Sequence, residues 1–104
     1  MTRIDKLREA LRAYEPERVY VFGSVARGED DELSDLDVVI IKQTPAPFFD
    51  RLREVARLLP ASIGGVDILV YTPEEFAAMQ RDGNAFACMV AEEGRLIYGR
   101  AAGS

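Results

Sequence analysis

The sequence contains no histidine, only one cysteine, and more acid than base. Without histidine the commonest general base and metal ligand is missing, and with it Ser-His-Asp and Cys-His catalysis and most zinc chemistry. Whatever chemistry the chain performs must run on carboxylates, backbone amides, hydroxyls and arginine. The single cysteine, Cys88, cannot form an internal disulfide, and no cationic segment followed by an apolar run opens the chain, so secretion is not expected. No stretch approaches ~18 consecutive apolar residues, so no membrane span is expected either. A net charge of −5 and a pI near 4.7 leave no basic stripe for a polyanion, which argues against direct nucleic-acid binding. The expected compartment is the cytoplasm.

What is present fits one small globular domain spanning residues 1–104, with 48% hydrophobic and 30% charged residues. Ile4, Leu7, Leu11 and Tyr14 recur at helical spacing, with Thr2 and Asp5 placed as a capping box, and predict a first helix over about 3–14. Val19, Val21 and Phe22 predict a short strand ending at Gly23. Leu36 to Ile41 is apolar on both strand faces, which suits a central strand covered on both sides. Phe48, Leu52, Val55 and Leu59 mark a helix before Pro60, and residues 66–71 read as another strand. Thr72-Pro73-Glu74-Glu75 is a strong helix start, Asp82-Gly83 a break, and Asn84 a cap for a last helix that Gly94 terminates. Leu96, Ile97 and Tyr98 suit a final strand, with 99–104 a frayed tail. The order of elements predicts an α/β (α+β) chain in which a small mixed β-sheet packs with helices. Phe48, Phe49, Phe76, Phe86, Met79, Met89 and Cys88 fall at core-compatible spacing and are read as packing.

The stretch from Arg18 to Lys42 organises the rest. A strand leads into Gly23-Ser24, where glycine permits close backbone approach and the following amides can face an anion. Ten residues later comes Asp35-Leu36-Asp37. Strand side chains alternate faces, so Asp35 and Asp37 point the same way with Cα atoms roughly 6.6 Å apart, close enough for both carboxylates to hold one hard cation. A third acid, Asp67, sits near the start of the later strand. Taken singly, Gly23 is a turn glycine, Ser24 a helix cap, and Arg27 a surface partner for the acids at 29–32; their joint spacing is what singles them out. Residues Gly23 to Gly28 satisfy G-x-x-x-x-G, but Glu29-Asp30 follows where a Walker A loop needs Lys and Ser/Thr.

Gly23-Ser24-Val25-Ala26-Arg27-Gly28 and Ser34-Asp35-Leu36-Asp37 resemble, position by position, the nucleotidyltransferase superfamily of the DNA polymerase β type. The spacing is similar to its minimal branch, the MNT antitoxins paired with HEPN proteins. The resemblance covers about residues 15–72. It implies a minimal, single-domain version of the polymerase β-like fold and transfer of a nucleotide, with AMP from ATP the expected donor chemistry. It further implies two Mg²⁺ ions on Asp35, Asp37 and Asp67, with Asp67 serving the second ion and activating the acceptor hydroxyl. Gly23, Ser24 and Arg27 would bind the triphosphate. The implied partner is a HEPN-domain toxin carrying the acceptor tyrosine. A non-catalytic neutralising module and a small-molecule nucleotidyltransferase are the alternatives. Base preference and homo-oligomerisation stay open.

Overall fold

The computed structural model of the chain describes residues 3–22 and 36–99. Four strands, β1 (Arg18–Phe22), β2 (Leu36–Ile41), β3 (Val66–Tyr71) and β4 (Arg95–Gly99), form one sheet in the order β3-β2-β1-β4. β1 pairs antiparallel with both β2 and β4, whereas β2 and β3 run parallel. A parallel pair needs a crossover, and α2 (Phe48–Leu58) supplies it. The expected mixed sheet is therefore present, with two layers of helix around it.

One layer consists of α1 (Arg3–Leu11) and α2. Leu7, Leu11, Tyr14 and Val55 bury against Val19, Val21, Leu36, Val38, Ile40 and Val70. The other consists of α3 (Pro73–Arg81) and α4 (Ala85–Glu93), whose Phe76, Ala87 and Val90 bury against Tyr20, Val39 and Ile41. Alternation along β2 sends Leu36, Val38 and Ile40 to the first layer and Val39 and Ile41 to the second, so both faces must be apolar. Burying side chains of this size contributes roughly 1.5–3 kcal/mol each before chain entropy is counted.

α1 is shorter than the periodicity predicts. It stops at Leu11, a single 3₁₀ turn carries Arg12–Tyr14, and Glu15 turns left-handed at φ 55° ahead of Pro16. Tyr14 still reaches the core because the tighter turn rotates it inward. The capping-box residue Thr2 lies outside the described residues.

Two expectations need correction. Phe49 is not core: 71% of its surface is exposed, since α2 turns Phe48, Leu52 and Val55 toward the sheet and Phe49 sits a residue off that face. Nor does the tail begin at residue 99. Gly99 closes β4 opposite Arg18, with φ at 85° and its backbone pressed so close to the Glu17 carbonyl that a Cβ would collide with it. Gly99 read as the first residue of a frayed tail; close strand approach requires a glycine there.

α3 starts as its sequence predicts. Glu75 N–H donates to Thr72 Oγ1 (3.1 Å) and Thr72 N–H donates to Glu75 Oε1 (2.8 Å), which completes a capping box. Replacing Thr72 by Ala removes one arm of it and is expected to cost about 1 kcal/mol, or about 4–8 °C in a thermal melt. Thr72→Ser should recover most of the loss; a melt in which Ala and Ser behave alike would show that the methyl packing matters and the cap does not.

Candidate active site

Two of the acids read from the sequence, Asp37 and Asp67, meet at one end of the sheet. Asp37 is the second residue of β2 and Asp67 the second of β3, and the parallel register sets them directly opposite each other. Adjacent strands lie about 4.8 Å apart, so the two carboxylates leave the same face as near neighbours. That face is the one α3 and α4 cover further along, where Val39 and Ile41 follow Asp37 and Leu69 and Tyr71 follow Asp67. Asp37 is half-buried and Asp67 exposed, because β3 is the sheet's edge strand.

The backbone holds this end together. The carbonyl of Gly65 accepts from Leu36 N–H at 3.0 Å, which ties the start of β2 to the turn entering β3. The same carbonyl accepts from Arg3 Nη2 at 3.0 Å, and Arg3 Nε donates to Ile63 O at 2.9 Å. Arg3 is buried, so α1 reaches beneath the sheet to brace the segment that delivers Asp67. On the other side of Asp37, the register partner in β1 is Phe22. A continuous row therefore crosses the sheet: Phe22, Asp37, Asp67.

Of the residues singled out in the sequence, Asp37 and Asp67 are brought together here. Gly23, Ser24, Arg27 and Asp35 lie outside the described residues. Among the described residues no group of three or more potential metal-ligating acids, cysteines or histidines occurs. Phe22 and its contact Phe86 were not connected to the acids from sequence. Phe22 read as a strand residue and Phe86 as helix packing, and only the register joins them to Asp37.

Tyr71 lies at the far end of β3 from Asp67 and packs among Phe48 and Phe76. Burial, and after it the Glu75 carboxylate, push its hydroxyl above the ordinary tyrosine range. It stays a protonated packing residue.

Among the described residues a concavity also lies elsewhere. An open groove of about 500 Å³ runs along Tyr14, Glu15, Lys42, Thr44, Glu54 and Arg57, beyond the opposite end of β2. Its acids and bases alternate in sign, and Lys42 is already engaged, its ammonium 4.3 Å from the centre of the Tyr14 ring while donating to the Tyr14 carbonyl. Carboxylates held in register are the more specific chemical feature, and they make this end of the sheet the candidate site.

Comparison with known proteins places this geometry. Over 93% of its length the chain superposes on 73% of a chain from a toxin–antitoxin complex crystallised with AMP-PNP, at TM-score 0.63 and 22% identity. A protein of Sulfolobus solfataricus described as a candidate nucleotidyltransferase matches over 96% of this chain and 79% of its own, at TM-score 0.57 and 25% identity. The MntA–HepT toxin–antitoxin structure matches over 94% and 71%, at TM-score 0.57 and 20% identity. At this identity the toxin–antitoxin structures are similarities of fold. No curated protein matches the chain by sequence. The model of the nucleotidyltransferase domain family matches residues 4–61, which span α1, β1, β2 with its Asp37, and α2. That match covers more than half of the chain, and with the mixed sheet it identifies the protein as a member of the nucleotidyltransferase domain family.

Proposed function

We propose that the chain transfers AMP from ATP to a hydroxyl of a partner protein, and that it acts in this way as the antitoxin of a toxin–antitoxin pair whose toxin is a HEPN-type protein. The observation that carries the catalytic part is the in-register pairing of Asp37 with Asp67 at the open end of the sheet. Two hard carboxylates on one face suit Mg²⁺, which takes oxygen ligands and accepts only one or two carboxylates from a protein. When bound, Mg²⁺ would neutralise charge on the triphosphate and polarise the phosphorus under attack.

The protein's own residues would do the rest. Asp35 and Asp37 would orient the triphosphate end of the nucleotide, with Gly23, Ser24 and Arg27 supplying donors to its phosphates. Asp67, exposed on the edge strand, would face the incoming hydroxyl and take its proton; no histidine is available for that role. The pyrophosphate leaves as the hydroxyl oxygen joins the α-phosphorus. A protein acceptor is favoured because two chains sharing this fold come from toxin–antitoxin complexes, one crystallised with AMP-PNP.

The test uses purified protein, Mg²⁺, ATP labelled at the α-phosphate, and the product of the neighbouring gene, with intact masses read for both chains. The expected result is a mass gain on the partner in whole AMP units that disappears when Asp37→Asn is used. A stable complex that binds Mg-ATP yet leaves both masses unchanged would instead make this chain a neutralising module without transfer activity.

A further inference from the structure

The row across the sheet has an aromatic member. Phe22 is the register partner of Asp37 on the side away from Asp67, and both side chains leave the face that α3 and α4 cover. Phe22 meets Phe86, near the start of α4, edge to face: ring centroids are 5.9 Å apart and the planes cross at 73°. Both residues are half-buried, and Phe22 joins the pair of rings to Asp37 through the strand register.

The two flanks of Asp37 are therefore chemically unlike. Toward β3 lies an exposed carboxylate on an open edge, which suits approach of a large acceptor. Toward β1 lies a fixed aromatic wall. A nucleotide whose phosphates are held at Asp37 has its ribose and base on one flank or the other, and among the described residues the β1 flank is the one that offers π surface. On this face Tyr20, Val39, Ile41, Phe76, Ala87 and Val90 are the buried cluster, and Phe22 and Phe86 pack against its margin while staying only partly buried. We infer that Phe86, held upright by Phe22, is a specificity-determining residue that stacks on the nucleobase of the bound triphosphate. This rests on the proposed nucleotide site at Asp37. Stacking engages any base through its π face, so the wall selects nucleotides over bare polyphosphate without choosing among purines.

Binding measurements on the full chain with Mg²⁺ separate this from a packing role. The probes are ATP, GTP and inorganic tripolyphosphate; the variants are Phe86→Leu, which keeps apolar volume, and Phe86→Tyr, which keeps the ring. Phe86→Leu is expected to raise the Kd for ATP and GTP alike by about tenfold, the scale of one lost base stack, while the tripolyphosphate Kd stays within twofold, and Phe86→Tyr should restore both nucleotides. Equal weakening of all three ligands would mean that Phe86 only supports the fold, and unchanged ATP binding in Phe86→Leu would place the base elsewhere; either overturns the inference. Failure of the wild-type protein to bind even tripolyphosphate would remove the underlying phosphate site as well, a result distinct from a defect confined to the variants.

Discussion

Arg51→Ala is expected to destabilise the protein by about 3 kcal/mol and to lower its melting temperature by about 15 °C. Arg51 lies on α2 but only 7% of its side chain is exposed, and its guanidinium joins three elements. Nη1 donates to Glu75 Oε1 at 2.8 Å and to Val70 O at 3.2 Å, Nη2 to Glu75 Oε2 at 3.3 Å, and Nε to Ala46 O at 2.8 Å. One planar fork thus clamps the linker before α2, the end of β3 and the first turn of α3. Truncation leaves the Val70 and Ala46 carbonyls short of a donor, at about 1–3 kcal/mol for each one that water cannot reach. Glu75 is 46% exposed and rehydrates, so its share is small. Arg51→Lys should lose most of the same stability, because an ammonium cannot serve four acceptors in a plane. A loss below ~1 kcal/mol for Arg51→Ala, read from urea unfolding with unchanged slope, would show that the fork is ornamental.

The same contact makes stability depend on acid pH. The hydrogen bond from Arg51 chiefly, then the one from the Thr72 amide, hold the Glu75 carboxyl below its ordinary value. A group whose folded-state value is depressed gives its stabilisation in full above the unfolded value, near pH 4.5, and loses it as pH falls through the lower folded value. Acid unfolding of the wild type should therefore steepen below about pH 4.5, and the Arg51→Ala variant should keep only the smaller part of that component that the Thr72 bonds supply.

Arg51 also shows where sequence reasoning stops. An arginine amid charged residues on a helix reads as solvent-facing, and its partner Glu75 is 24 residues away across a strand. Glu75 itself was legible, because a Thr-Pro-Glu-Glu start announces a capping box through purely local bonds. Strands β1 to β3 were legible for a related reason: an apolar run on both faces admits few other environments. The acids divide along the same line. Each of Asp37 and Asp67 stood out as a charge at the head of an apolar strand, but their facing arrangement is a property of parallel register, which local pattern does not carry. Phe22 and Phe86 lay beyond reach altogether, since an aromatic in a strand and one in a helix have ample reason to be there without touching an active site.

Asp37→Asn and Asp67→Asn are each expected to reduce AMP transfer by about 10³-fold or more, the effect of several kcal/mol of charge stabilisation lost at the reacting phosphorus. Removing the Asp67 charge should not harm folding: like charges directly opposite on neighbouring strands repel, so in chelator Asp67→Asn should melt at or slightly above the wild-type temperature. Asparagine keeps the shape and one carbonyl oxygen, which isolates the loss of charge from any loss of packing. Added Mg²⁺ should then raise the wild-type melting temperature by mass action and leave the double variant unmoved. The two substitutions divide the labour as well: if Asp67 faces the acceptor, Asp67→Asn should keep Mg-ATP affinity while losing rate, and Asp37→Asn should lose both. Initial rates with α-labelled ATP, beside melts in chelator and in Mg²⁺, decide the matter. Transfer within tenfold of wild type in both variants would mean that the paired carboxylates are not where the chemistry happens, however well the register aligns them.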